Sequence, residues 1–108
     1  MLEAFFDPKS VAVIGASTNP DKLGYAVLEN LVDGGYVDVG KIYPINPKAD
    51  EILGQKSYPT VLDVPDDIDM AVIVIPYNYV PAVLVECGKK SIPAVVIISA
   101  GFREAGME

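Results

Sequence analysis

The residues best suited to chemistry stand in one ten-residue stretch, Gly15-Ala16-Ser17-Thr18-Asn19-Pro20-Asp21-Lys22-Leu23-Gly24, directly after the apolar run Val11–Ile14. Gly15 permits a sharp turn out of a strand, and Ser17, Thr18 and Asn19 offer short hydroxyl and amide donors. Helical spacing follows from about Lys22. A helix that starts there aims its free N–H groups back at the loop, which makes the junction an anion site, and Lys22 adds a point charge suited to a phosphate. Gly24 allows a close approach of the helix to the sheet or to a ligand. The plain alternative is that Gly15 and Gly24 serve only the turn and the packing.

This loop is not the dinucleotide fingerprint. G-x-G-x-x-G requires a second glycine where this chain has Ser17, and an acid at the end of the second strand to hold a ribose diol. That place is occupied by Asn46-Pro47-Lys48. An acid there repels a phosphorylated ribose and a lysine attracts one. Coenzyme A carries its ribose phosphate on the 3′ position and NADP on the 2′ position, so Lys48 by itself does not choose between them, and a solvated lysine at a helix start is the alternative reading. A third group is Ile75-Pro76-Tyr77-Asn78, where Pro76 fixes the turn after a buried strand and the nearby backbone has hydrogen-bonding groups for an adenine; simple turn chemistry explains it equally well. Tyr77 and Tyr79 offer faces for stacking, or merely start a helix at the surface. Ser99-Ala100-Gly101-Phe102 is small and turn-like, suited to lining the path of an extended ligand arm, and Glu104 reads as a solvated acid.

Composition limits the alternatives. The chain has 108 residues, 51% of them hydrophobic, which suits one ordinary domain with a real core and excludes a disordered tail. Its net charge of −7 speaks against a bulk electrostatic grip on DNA or RNA. A phosphorylated ligand must then be held by local N–H groups and one or two placed lysines. There is no histidine and a single cysteine, so neither a disulfide nor a Cys/His zinc site can be built, and histidine acid–base or phosphotransfer chemistry is missing from the chain. Cys87, without a histidine to activate it, reads as a small buried hydrophobe. Asp66, Asp67 and Asp69 read as a solvated loop. The opening MLEAFFDPKS is not a signal peptide, and no apolar run approaches the roughly 18 residues of a membrane span. A cytoplasmic protein without membrane or nucleic-acid partners is the expectation.

The elements that position these loops are legible as runs of apolar residues. Val11–Ile14, Met70–Ile75 and Ala94–Ile98 are continuous and β-branched, and Lys41–Ile45 is a weaker fourth run interrupted by Pro44. Unbroken apolar runs indicate strands buried on both faces, hence a parallel sheet. Helices are predicted over about Lys22–Val32, ended by Gly34-Gly35, and over about Tyr79–Lys90, with Asn78 as N-cap and Pro81 in the first turn. A short helix is predicted over Ala49–Leu53, ended by Gly54, and a short edge strand over Tyr58–Val61. The alternation gives an α/β fold, a Rossmann-like doubly wound parallel sheet with helices on both faces, and its ligands belong beyond the carboxyl ends of the strands near the switch point. The last predicted strand is followed by only ten residues, too few for a covering helix, so residues 1–108 are expected to be a module near the N-terminus of a longer protein.

Four blocks in this order resemble one family: Phe5-Phe6-Asp7-Pro8-Lys9-Ser10-Val11-Ala12-Val13-Ile14-Gly15-Ala16-Ser17, Tyr43-Pro44-Ile45-Asn46-Pro47-Lys48, Asp69–Pro76 and Ile98-Ser99-Ala100-Gly101-Phe102. They are similar to the CoA-binding domain of the ADP-forming acetyl-CoA synthetase α-subunit family, which is related to the α subunit of succinyl-CoA synthetase. The resemblance implies a nucleotide-binding domain whose cofactor is coenzyme A or an acyl-CoA. It implies that Gly15, Ala16, Ser17, Asn19, Lys22 and Gly24 take the phosphates. It places Asn46, Pro47 and Lys48 near the ribose-phosphate end, and Ile75, Pro76, Ser99, Ala100 and Gly101 along the ligand. In the family, the full ligase makes ATP and an acid from acyl-CoA, ADP and phosphate through a phosphohistidine in a later domain, with the nucleotide on an ATP-grasp domain. This chain alone then binds and does not turn over. A free-standing regulatory CoA-binding protein and an NAD(P)-binding Rossmann domain are the alternatives.

Overall fold

The computed structural model describes residues 8–35 and 40–98. Its centre is β1 (Ser10–Ile14), every residue of which is buried. Successive side chains of a strand face opposite sides, and here both sides are apolar. Val11 and Val13 enter one core layer, and Ala12 and Ile14 enter the other. The remaining strands of the main sheet are β2 (Lys41–Ile45), β5 (Met70–Ile73) and β6 (Ala94–Ile97). All pair in parallel, in the order β2-β1-β5-β6. Sequence order therefore reverses direction between β1 and β5, which is the switch point of a doubly wound sheet.

Among the described residues one helix covers each face. Helix α1 (Leu23–Asp33) lays Leu28, with Val27, Leu31 and Val32 beside it, on the layer of Val11, Val13 and Val72. Removing a side chain the size of Leu28 from water contributes about 2 kcal/mol. Gly34 closes this helix through an N–H bond to the Asn30 carbonyl, and Gly35, at φ 85°, takes the left-handed position beyond it. Helix α2 (Val80–Lys89) buries Val80 and Cys87 on the opposite layer, with Ala12, Ile73 and Val61. The Lys90 ammonium ties the end of this helix to the Val64 carbonyl.

Pro44 stands inside β2 because β2 is an edge strand. The carbonyl of Pro44 and the N–H of Asn46 face outward and bond the backbone of Tyr58, so the missing proline donor falls on the side away from β1.

Three local expectations are corrected. Residues 49–53 form no helix. Glu51–Ile52 (β3) and Gln55–Lys56 (β4) make an antiparallel hairpin around Leu53 and Gly54, at φ 52° and 79°. Ile52 of this hairpin is buried against the α1 layer. Tyr58–Val61 is no strand beyond a single bridge from Tyr58 to Ile45, since Pro59 cannot donate. Thr60 instead caps a 3₁₀ turn, Val61–Asp63, in a reciprocal box with Asp63. Asn78 caps nothing. It lies within a 3₁₀ turn, Tyr77–Tyr79, and Tyr79 occupies the N-cap of α2, with Pro81 in the first turn as expected.

Candidate functional site

Three of the four loops expected to meet at the carboxyl ends of the strands do so. Gly15 leaves β1 at φ 98°, a conformation open to glycine. Its N–H bonds the Ile45 carbonyl at the end of β2. On its other side a β-carbon would overlap the Val74 carbonyl and crowd Ile75 Cγ2, so the turn after β1 lies hard against the segment leaving β5. Gly24 presses on the same turn from α1, where a β-carbon would overlap the Gly15 carbonyl oxygen.

Between these glycines the loop is built on its own short side chains. Ser17 Oγ accepts the Asn19 N–H at 3.0 Å, and Asn19 Oδ1 accepts the Asp21 N–H at 2.9 Å. The Asn19 carbonyl then takes the Lys22 N–H at 3.0 Å. Ser17 and Asn19, expected as ligand donors, thus use their oxygens to shape the turn. Thr18, Asn19 and Lys22 are exposed. Lys22 is the N-cap of α1 by its extended backbone, and no side chain caps the helix. The Tyr25 N–H bonds the Lys22 carbonyl at 3.1 Å, which leaves the Leu23 and Gly24 N–H groups and the helix dipole at this end, a donor set that fits an anion such as a pyrophosphate.

The second loop is joined to the first through Asn46. Asn46 Nδ2 donates to the Ala16 carbonyl at 2.9 Å, while Oδ1 accepts the N–H groups of Lys48 at 2.7 Å and Ala49 at 3.2 Å. Pro47 and Lys48 are exposed. Sequence reading missed this use of Asn46, although an asparagine two residues before a free N–H is the signal for such a turn. Ile75 is half-buried and Pro76 exposed beside Gly15. Ser99, Ala100, Gly101, Phe102 and Glu104 lie outside the described residues.

A depression of about 330 Å³ lies away from this edge, against the amino end of β2, lined by Gly40, Lys41, Ile42, Tyr43, Gln55, Lys56 and Tyr58. Three of its polar side chains are engaged. Tyr43 Oη donates to Asp66 at 2.7 Å, Lys41 pairs with Asp66 at 3.7 Å, and Lys56 lies 5.3 Å from the Tyr58 ring centroid. Burial, then the bond to Asp66, pushes the Tyr43 hydroxyl above the usual phenol range, and the Tyr43 bond and the Lys41 charge hold Asp66 below the usual carboxylate range. Depression and loops disagree as pointers to a ligand. The depression stands at the amino end of β2, and the loops combine the switch point with a helix start that no side chain caps.

Cys87 is buried in α2, and burial, followed by the charge of Glu86, raises its thiol pKa. Among the described residues no cluster of three or more His, Cys, Asp or Glu is placed to hold a metal ion, and no helix is long and apolar enough to cross a membrane.

Comparison with known proteins places the chain in a family. The family model described as CoA binding domain matches residues 9–108. The chain is 57% identical to the α subunit of acetate–CoA ligase [ADP-forming] I of Pyrococcus furiosus, over 99% of this chain and 24% of that protein. It is 62% identical to acetate–CoA ligase [ADP-forming] of Methanocaldococcus jannaschii, over 92% of this chain and 14% of that protein. Among solved structures, it superposes on the dinucleotide forming acetyl-coenzyme A synthetase 1 of Ca. Korarchaeum cryptofilum, in complex with phosphate and ADP, with a TM-score of 0.89. That match has 48% identity and covers 100% of this chain and 23% of that one. The chain thus spans about a quarter or less of the length of these relatives.

Proposed function

The chain belongs to the CoA binding domain family, and we propose that it holds coenzyme A or an acyl-CoA as the N-terminal module of an ADP-forming acyl-CoA ligase. The observation that carries the reading is the meeting of three loops at the switch point around an uncapped helix start. In this assignment the loop from Gly15 through Ala16, Ser17, Asn19 and Lys22 to Gly24 takes the pyrophosphate through backbone N–H groups and the Lys22 ammonium. Asn46, Pro47 and Lys48 form the ribose-phosphate end. Ile75 and Pro76, with Ser99, Ala100 and Gly101, border the rest of the ligand.

The role of the chain's own residues is to bind and orient. It contains no histidine, so a phosphohistidine cannot form on it. ATP formation, the acyl group and the nucleotide site belong in this proposal to ligase and ATP-grasp regions of the longer protein or its partner subunits. The small share of each relative that the chain covers supports that division. A cytoplasmic location goes with it, because coenzyme A and ADP are drawn from there. A stand-alone regulatory role and NAD(P) binding are the weaker readings: the matched relatives are named as ligases, Ser17 replaces the second glycine of the dinucleotide pattern, and Lys48 replaces the acid that holds the NAD ribose.

Calorimetric titration of the chain with CoA, dephospho-CoA and NADH tests the reading. CoA is expected to bind best, dephospho-CoA about tenfold more weakly, and Lys48→Ala to remove that difference, as for one charge-assisted phosphate contact. Binding of NADH with silence toward CoA overturns it.

A further inference from the structure

Asn46 was expected to touch the ligand, yet its side chain is committed within the protein. Its Oδ1 accepts two N–H groups, from Lys48 at 2.7 Å and Ala49 at 3.2 Å, and its Nδ2 reaches the Ala16 carbonyl at 2.9 Å. Two donors face one side of the amide and one acceptor the other, so the network itself sets which atom is oxygen. The backbone of Asn46 is fixed as well, its N–H on the Tyr58 carbonyl at 2.9 Å and its carbonyl on Ser57 Oγ at 3.4 Å. Pro47 locks the intervening φ.

We infer that Asn46 is a positioning residue for phosphate recognition: its planar amide is a rigid strut that holds the Lys48 backbone at a set distance from the Ala16 turn. This inference rests on the reading that Lys48 faces the 3′-phosphate and the Gly15–Gly24 loop the pyrophosphate. Those two anionic groups are separated by a fixed ribose, so a site that reads both needs its two cationic ends in register. No other side chain described in the structure bridges the two loops by hydrogen bonds. Lys48 is exposed and Ala16 buried, so the strut runs from a fixed point in the core to the base of a mobile ammonium.

The test is the ratio of CoA to dephospho-CoA affinity, measured by calorimetry on the 108-residue chain. An amide that only stabilises the fold leaves this ratio unchanged. With about tenfold preference in the wild-type chain and none in Lys48→Ala, Asn46→Ala is expected to lower the ratio at least threefold. The Asn46→Ala/Lys48→Ala chain should then show the ratio of Lys48→Ala alone. Asn46→Ser keeps an oxygen for the Lys48 N–H but cannot reach Ala16, and its ratio is expected to fall between wild type and Asn46→Ala. A wild-type ratio in Asn46→Ser overturns the strut even if Asn46→Ala does not fold. Equal weakening of both ligands by Asn46→Ala also overturns it and returns Asn46 to the role of an ordinary contact or fold residue. An unchanged ratio in Lys48→Ala sinks the parent reading and the strut together, and is recognised because Asn46 is intact there.

Discussion

Gly24 of α1 stands directly over Gly15 of the β1 turn, so close that a β-carbon on Gly24 would overlap the Gly15 carbonyl oxygen. The neighbour is backbone, already held by the Gly15 N–H bond to Ile45, and cannot swing aside as a side chain would. Gly24→Ala is therefore expected to destabilise the chain by about 1–3 kcal/mol, the range for forced overpacking. Gly88, exposed in α2 with open space where its β-carbon would go, is the control: Gly88→Ala is expected to stabilise by about 0.5–1 kcal/mol. Urea denaturation of the two variants, with opposite shifts of midpoint at unchanged slope, checks the pair.

A second stability prediction concerns the end of α2. Ser91 sits at φ 61°, its N–H bonding the Gly88 carbonyl at 3.0 Å while the Ile92 N–H bonds the Cys87 carbonyl at 3.0 Å. This is a Schellman closure with buried Ile92 as its apolar partner, and it places a serine where glycine is the unstrained choice. The Ser91 side chain is exposed. Ser91→Gly is expected to stabilise by about 1 kcal/mol, read as a higher melting temperature in calorimetry.

The parallel sheet was legible because three of its four strands are continuous β-branched runs and the fourth, Lys41–Ile45, is a weaker run before Asn46-Pro47, and the Gly15–Gly24 loop because a turn glycine and a close-approach glycine bracket it. What stayed hidden depends on tertiary partners. The hairpin at Leu53-Gly54 uses a leucine in a left-handed position that sequence signals reserve for asparagine or glycine. Leu53 tolerates it while packing on the α1 layer. The site shows the same division. Its loops follow from strand ends, but nothing local says that Ser17 and Asn19 turn inward to their own loop, or that Asn46 reaches across thirty residues to Ala16.

The Tyr43–Asp66 bond gives both limbs of the pH–stability curve a signature. Asp66 is held below its ordinary value of 3.8 in the folded chain. Its contribution is present above that value and fades as pH falls through the lower folded one. The Tyr43 hydroxyl is held above its ordinary 10.0, so its contribution is complete below pH 10.0 and fades as pH rises toward the folded value. Tyr43→Phe is expected to move the Asp66 carboxyl, followed by ¹³C NMR titration, up toward the ordinary value and to flatten the acid limb. An unmoved Asp66 would assign the depression to the charges of Lys41 and Lys90.

Cys87 should behave as a reporter of opening. It is only 2% exposed, and burial raises its thiol pKa, so two factors suppress the thiolate that attacks a disulfide reagent. Native chain at pH 8 is expected to react with a chromogenic disulfide at least tenfold more slowly than chain in urea above its midpoint. Gly24→Ala, if it destabilises as argued, should speed the native reaction, because the open fraction grows about tenfold for each 1.4 kcal/mol lost.

Ligand binding should register in the same stability measurements. A ligand that binds only the folded chain adds RT ln(1 + [L]/Kd), about 2.7 kcal/mol at a hundredfold excess over Kd. CoA is thus expected to raise the melting temperature by several degrees, dephospho-CoA at equal concentration by less, and NADH not at all. Hydrogen exchange should localise the added protection to the first turn of α1, to residues 46–49 and to the Gly15 turn, where three loops touch. Protection confined to Lys41, Tyr43 and Tyr58 would move the ligand to the depression at the amino end of β2. In that event the ammonium groups of Lys41 and Lys56, which line that depression, and not the helix start, would be the place to look for the phosphate.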